Sequence, residues 1–302
     1  MERIGLIGAG LMGTGIAKNL LKAGHSLLVH KRVIDESDQR IRELRKSGAE
    51  LTAKPDQLFE EAELLLTCLP SSIEVEQILI GQGGLCGSSN PKVRTVVDFT
   101  TAKPSSSQKI EPELAKRGIG FLDAPMTGGP KQADEGALNL AIGGNRQTFE
   151  RCEGIFKVIA KNIIYVGPSG SGNILKLANN FLGMLNRCST SALCLLVEKM
   201  GVSRQKLHDF VSVSGGYSRG FESQVQSIAK GFPLSFALKL SLKDIRYVQE
   251  TFASQNMEYG ILNDLASLYQ GAADAGYGDR DNGTIYEYMK QALSLQDSIQ
   301  RG

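Results

Sequence analysis

The segment IGLIGAGLMGTGIAKNL, residues 4–20, constrains the fold more than any other stretch of this chain. Glycines at 8, 10 and 13 are spaced G-x-G-x-x-G, directly after a short apolar run at 3–7 and at the head of a helix-like pattern at 11–22. The spacing alone is weak, but its place between a strand and a helix at the start of a βαβ unit makes it informative. Gly8 permits a tight turn, Gly10 removes a side chain where a phosphate group would approach, and Gly13 lets the helix lie close on the sheet. Leu11 and Met12 open the helix, where free amides and the positive end of the dipole attract an anion. The competing reading is a glycine-rich turn with no ligand, which the context disfavours.

The rest of the N-terminal half keeps the same rhythm. Apolar runs at 26–30, 64–69, 95–99, 120–123, 138–143 and 162–166 read as strands, and helical patterns fall at 35–47, 73–79, 105–117 and 147–160. Alternation of this kind implies βαβ units and a mostly parallel, doubly wound sheet. After about residue 163 the strand signals stop, and helical periodicities take over at 171–200, 203–213, 222–230, 240–254, 260–274 and 281–297. The expected fold is α/β: a Rossmann-type dinucleotide-binding domain at 1–163, then an all-α domain at 164–302 for substrate and oligomerisation. The Gly- and Ser-rich stretch 167–172 is the expected hinge.

Composition removes several function classes. The net charge is +2 and the basic residues are dispersed, which argues against a nucleic-acid surface. Five cysteines, none spaced C-x-x-C, read as reduced thiols of a cytoplasmic protein rather than a disulfide or zinc framework. The three histidines are scattered, so no metal site is expected. No signal peptide and no apolar run of membrane-spanning length are evident.

The second strand ends in His30-Lys31-Arg32, with no acid before Asp35. A carboxylate there would bind the ribose 2′-hydroxyl of NAD and repel a 2′-phosphate, whereas a guanidinium grips that phosphate. The tripeptide therefore favours NADP(H); NAD(H), with Lys31 and Arg32 as solvated loop charges, is the alternative. Two further segments lie at strand ends where such a sheet meets its ligand: Leu69-Pro70-Ser71-Ser72 and Asp98-Phe99-Thr100-Thr101. Ordinary turn chemistry explains Pro70-Ser71 equally well, so the Thr pair is preferred as a contact to the nicotinamide ribose.

DAPMTGG, residues 123–129, also follows a strand. Thr127 offers a hydroxyl, and Gly128 and Gly129 offer two unobstructed N–H groups, a set that suits a carboxylate or phosphate. A plain Gly-Gly-Pro turn competes with this reading. The segment GSGNILKLANN at 170–180 tips the balance. On a helix Lys176, Asn179, Asn180 and Gly183 share a face, and Gly183 leaves room against it. A structural lysine usually stretches its head into water. Here apolar neighbours and two amides surround an ammonium placed to donate a proton to a substrate oxygen.

In its motifs GLIGAGLMGTGIAKNL, DAPMTGG, GSGNILKLANN and LKLSLKDI, the chain resembles the β-hydroxyacid dehydrogenase family over almost its whole length. That family includes 3-hydroxyisobutyrate dehydrogenase, tartronate semialdehyde reductase and the glyoxylate/succinic semialdehyde reductases. The resemblance implies a catalytic Lys176, a substrate-site Asn180, and a carboxylate held by Thr127, Gly128 and Gly129. It implies that Lys243 contacts the cofactor from the helical domain, that Thr101 contacts the nicotinamide ribose, and that the chain forms a homodimer or homotetramer. The implied reaction moves a hydride between NADP(H) or NAD(H) and a short 3-hydroxy acid or the matching aldehyde acid. Thr127 stands where the family commonly has Ser; where the family often has an arginine and an aromatic residue this chain reads Val213-Ser214-Gly215-Gly216-Tyr217-Ser218-Arg219, with no Trp in the chain; and Asn282-Gly283-Thr284 replaces the usual small continuation. These departures bear on substrate more than on reaction. The alternatives are an imine reductase-like or 6-phosphogluconate dehydrogenase-like relative, or a non-catalytic nucleotide sensor on the same fold.

Overall fold

The computed structural model describes residues 2–299. It divides into two compact units, Met1–Lys176 and Leu177–Gly302. In the first, β1 (Arg3–Ile7), α1 (Leu11–Lys22), β2 (Ser26–His30), α2 (Gln39–Lys46), β3 (Glu50–Thr52), α3 (Pro55–Glu61), β4 (Leu64–Thr67) and α4 (Ser72–Ile80) follow one another. Then come β5 (Thr95–Asp98), α5 (Pro104–Ala115), β6 (Gly120–Asp123), β7 (Met126–Thr127), α6 (Pro130–Asp134), β8 (Leu138–Gly144), α7 (Arg146–Ile159) and β9 (Ala160–Gly167).

These strands form one sheet in the order β3-β2-β1-β4-β5-β6-β8-β7, with β9 paired to β8. The pairings from β3 through β6 are parallel, as is β8 with β9; β8 runs antiparallel to β6 and β7. Every residue of β4 and β5 is buried, as expected of parallel strands covered on both faces. Successive residues serve opposite layers: Leu64 and Leu66 pack with Ile16 and Leu20 of α1, while Leu65 joins Phe59 and Val75 on the other face. The order reverses at β1, between β2 and β4, so the crevice beyond the carboxyl ends of those strands is the topological switch point.

The structure adds short elements to the sequence reading: β3, α3, β7 and α6 occupy stretches expected as loop. β9 runs to Gly167, so a boundary at 163/164 falls inside a paired strand, and the compact units part instead between Lys176 and Leu177. That point lies within α8 (Ser171–Lys199), a single helix of 29 residues. Ile174 and Leu175, apolar neighbours of Lys176, are each 45% exposed rather than packed inside.

In the second unit α8 is followed by α9 (Arg204–Ser212), α10 (Arg219–Ala229), α11 (Leu238–Ser254), α12 (Gly260–Ala272) and α13 (Ile285–Ile299). Its core gathers Leu177, Met184, Leu238, Ile245, Leu265, Tyr269 and Ile285. α10 begins at Arg219 rather than 222 because the Ser218 hydroxyl accepts the Phe221 N–H at 3.0 Å and caps the helix. α13 begins at Ile285 rather than 281. The buried Asp281 carboxylate is tied up by the amides of Ser235 and Gly283, both at 2.8 Å. Among the described residues no helix is long and apolar enough to cross a membrane.

Candidate active site

The glycine loop sits at the switch point. Gly8 has φ +103°, and a Cβ there would lie 2.2 Å from the Cys68 carbonyl oxygen, just past β4. A Cβ on Gly13 would lie 2.2 Å from the Gly8 carbonyl, so the loop and helix fit only as glycines. Gly10 differs: a Cβ there would meet nothing within 4 Å. Gly8 and Gly13 are therefore demanded by the protein's own backbone, while Gly10 faces open space. Gly10 is the N-cap of α1, no side chain caps that end, and its first turn carries no acid. Such an end attracts phosphate. These features fit the pyrophosphate of a dinucleotide: an open face at Gly10, with the amides of Leu11, Met12 and Gly13 opening the helix.

At the end of β2, His30 and Lys31 are half-buried and Arg32 is exposed. The Lys31 amide donates to Thr52 O at 2.9 Å. Burial, then the neighbouring Arg40, hold the Lys31 ammonium below its usual range, against an opposing pull from Asp38. Burial also lowers His30, which faces Arg32 as well. Arg40, in the first turn of α2, is a basic residue that the sequence reading missed. It pairs with Asp38, Nη2 to Oδ2 at 2.9 Å, and Asp38 in turn caps α2 through the Arg40 amide. The first acid after the strand, Asp35, accepts the Ser37 amide at 2.8 Å within its own turn. Lys31, Arg32 and Arg40, with His30 kept less basic by burial, thus form a basic cluster beside the switch point, in which Asp38 pairs with Arg40.

At the ends of β4 and β5, the Thr67 hydroxyl donates to Asp98 Oδ1 at 2.7 Å, and the Leu69 amide donates to the Thr100 hydroxyl at 2.9 Å. Thr100 is buried beneath the loop, whereas Thr101 beside it is half-buried. Ser71 caps α4 through the Ile73 amide, so Pro70-Ser71 has a structural role.

In DAPMTGG, Thr127 belongs to β7 opposite Asn139. Asn139 Nδ2 donates to the Thr127 hydroxyl at 3.1 Å, and Asn139 Oδ1 accepts from Asn162 at 2.6 Å. With its oxygen already accepting, Thr127 has its own proton to offer a ligand. Gly128 has φ +121° and is exposed. The expectation of two unobstructed amides needs correction: the Gly129 N–H donates to Gln132 Oε1 at 2.9 Å.

Lys176 is half-buried on α8, one turn before Asn180 and two before Gly183, where a Cβ would meet nothing within 4 Å. In the second unit, Asn180 Nδ2 donates to Asp244 Oδ2 at 2.6 Å. Asp244, on α11, is fully buried. Lys243 Nζ lies 3.1 Å from Asp244 Oδ1, an ion pair rather than an aligned hydrogen bond, and 4.9 Å from the Tyr247 ring centre. Asn179 is exposed and donates to Asn180 Oδ1 at 3.3 Å. Asp244 is thus the group that holds Asn180 and Lys243 together.

Two family models match. Residues 3–167 match the NAD-binding domain of 6-phosphogluconate dehydrogenase, and residues 170–289 match the NAD-binding domain of NADP-dependent 3-hydroxyisobutyrate dehydrogenase. The chain is 27% identical over 298 residues to 2-(hydroxymethyl)glutarate dehydrogenase of Eubacterium barkeri, covering 98% of this chain and 97% of the relative. It is 27% identical to mouse mitochondrial 3-hydroxyisobutyrate dehydrogenase, covering 95% and 87%. Its fold is that of a solved Mycobacterium tuberculosis 3-hydroxyisobutyrate dehydrogenase, at TM-score 0.84, 22% identity and coverage of 96% and 99%.

Proposed function

The chain belongs to the β-hydroxyacid dehydrogenase family of nicotinamide-dependent oxidoreductases acting on CH–OH groups, and from that premise we propose that it interconverts a short 3-hydroxy acid and its aldehyde acid, with NADP(H) as the preferred cofactor and Lys176 as the catalytic residue. The observation that carries this reading is Lys176 on an unbroken helix one turn before Asn180, with the open position Gly183 continuing the face.

The two relatives act, by their names, on 2-(hydroxymethyl)glutarate and 3-hydroxyisobutyrate. Both acids carry a primary alcohol on the carbon next to the one bearing the carboxylate. Thr127 supports the same class here, because its hydroxyl is left as a donor by Asn139. Gly128 adds an exposed backbone position beside it. Gly129 contributes through the turn rather than through its amide, which Gln132 takes.

The cofactor residues divide by phosphate. Gly8, Gly10, Leu11, Met12 and Gly13 hold the pyrophosphate; Lys31, Arg32 and Arg40, with His30 beside them, take the 2′-phosphate. Leu69, Pro70 and Thr101 face the nicotinamide half, and Lys243 is assigned to the cofactor by the family resemblance. When bound, the nicotinamide supplies the hydride in reduction and takes it in oxidation. Lys176 gives a proton to the developing alkoxide in reduction and receives the hydroxyl proton in oxidation. Such proton transfer contributes about 10²–10⁴-fold in rate. Orientation by Thr127 and Asn180 lowers the barrier further.

A cytoplasmic homodimer or homotetramer completes the reading. The exposed Leu193, Leu196, Met200 and Phe210 supply apolar surface for self-association. A panel of short 3-hydroxy acids and aldehyde acids, each run with NADH and NADPH, tests the proposal. Turnover of at least one pair, faster with NADPH, is expected. Tight cofactor binding with no turnover of any of them would favour a nucleotide sensor instead.

A further inference from the structure

Asp123 heads the DAPMTGG segment, yet its side chain is taken up by the start of α8. It is fully buried at the end of β6. Its Oδ1 accepts the Gly170 amide at 2.7 Å, and its Oδ2 accepts the Asn173 amide at 2.9 Å. These amides lie at the start of α8, where a helix has N–H groups with no partner of its own. A carboxylate there also meets the favourable end of the helix dipole.

The carboxylate is enclosed on both sides by glycine. A Cβ on Gly143 would lie 2.6 Å from Asp123 Oδ1, and one on Gly172 would lie 2.9 Å from Oδ2 and 2.4 Å from the Ala141 carbonyl. Neither position has room for a side chain while the carboxylate stays where it is.

Asn173 extends the clamp. It is fully buried, its Oδ1 accepts the Ala102 amide at 2.9 Å, and its Nδ2 donates to the Ser107 hydroxyl at 3.2 Å. Ala102 directly follows Thr101. One helical turn thus gathers the end of β6, which leads into Thr127, and the segment carrying Thr101. Lys176 stands three residues beyond Asn173 on the same helix, so any shift of that first turn reaches the lysine.

We infer that Asp123 is a positioning residue: with Asn173 it fixes the first turn of α8, and so places Lys176 relative to the Thr101 and Thr127 segments. The inference rests on the reading of Lys176 as the proton donor. Asp123 touches neither substrate nor cofactor; its effect passes through Lys176. An ordinary stabilising cap would change folding but not the place of the lysine.

The test, run above about pH 8 where the parent carboxyl is ionised, is Asp123→Asn, which keeps the size but turns an amide N–H₂ toward one of the two N–H donors. Hydrogen exchange across the start of α8 should rise about tenfold or more as the local opening becomes easier. Turnover should fall about 30-fold or more, with cofactor Kd changed by less than about twofold, since a misplacement near 1 Å costs on the order of 100-fold. In a Lys176→Ala background the same substitution should change the residual single-turnover rate by less than about twofold, the non-additivity of groups acting as a unit. If Asp123→Asn does not fold, Asn173→Ser reads the same clamp, losing the side-chain bonds to Ala102 and Ser107 while keeping its own amide. The same pattern at smaller size is then expected. Unchanged exchange and turnover, or a loss that persists in full in the Lys176→Ala background, overturns the inference. Turnover lost in Lys176→Ala but kept in Asp123→Asn overturns the inference alone. Near-full turnover in Lys176→Ala overturns the reading of the lysine, and this inference with it.

Discussion

Asn180 and Asp244 are joined by a 2.6 Å hydrogen bond, across 64 residues of sequence, to a carboxylate with no solvent exposure. The second oxygen of that carboxylate pairs with Lys243. Removing Asp244 therefore takes the carboxylate from a mostly buried ammonium and the acceptor from the Asn180 amide together. Breaking a buried pair from one side costs about 3–5 kcal/mol, and the 19% exposure of the Lys243 side chain moderates this. Asp244→Ala should lower the unfolding free energy by about 2–4 kcal/mol in urea melts, and Asp244→Asn by less. A loss below that of a typical surface substitution would show that the carboxylate does not hold the pair.

The glycine loop separates packing from ligand binding. Gly13→Ala places a carbon 2.2 Å from the Gly8 carbonyl and should lower Tm by several degrees or prevent folding. Gly10→Ala meets no protein atom within 4 Å. It should leave Tm unchanged in the cofactor-free protein while weakening dinucleotide binding about tenfold or more, by filling the pyrophosphate approach. Titration of cofactor fluorescence checks the second effect. Unaltered affinity in Gly10→Ala would place the phosphates elsewhere.

Burial, and after it the nearby Arg40, depress the Lys31 ammonium, and a bound anion would offset the second of these. Lys31→Ala and Arg40→Ala should each raise KM for NADPH about tenfold or more, the cost of one charge-assisted bond, and change KM for NADH little. Equal effects on both cofactors would mean that the cluster does not read the 2′-phosphate.

Asp123 gives a pH signature. Burial pushes its carboxyl up to about 7 from an ordinary 3.8; the Gly170 and Asn173 amides oppose the rise, and Asp98, its register partner on β5, adds to it. The folded chain thus holds this proton to higher pH than the unfolded chain does. Its stabilising contribution is full below pH 3.8 and is lost as pH rises to about 7. The stability of the parent chain minus that of Asp123→Asn should fall by a few kcal/mol over that range and be flat above it. A difference that stays level, or rises with pH, would contradict the raised carboxyl.

The sequence reading located β1, α1, β2 and β6 at their observed bounds, because each is a run of one period ended by glycine or polar residues. It missed β3, three residues long, and β7, two residues long, which are too short to carry alternation. The antiparallel course of β8 was also beyond it, since a buried apolar run looks the same in either direction. Within the site, the spacing from Gly8 to Gly13 and the face shared by Lys176, Asn180 and Gly183 were legible, because loop and helix periods govern them. Arg40 was not, because only the folding of the β2–α2 connection brings it near Lys31. Asp244 stands in the LKLSLKDI motif without a legible role, because its partner Asn180 lies on another helix. The loss of the Gly129 amide to Gln132 depends on a side-chain rotamer that no pattern reveals.

The central claim is that Lys176 moves the proton. Its most direct measurement is kcat for Lys176→Ala beside cofactor Kd for the same variant. The account predicts kcat reduced about 10²–10⁴-fold, with cofactor affinity within about threefold of the parent. Near-full kcat, or a loss explained wholly by weaker cofactor binding, would contradict it.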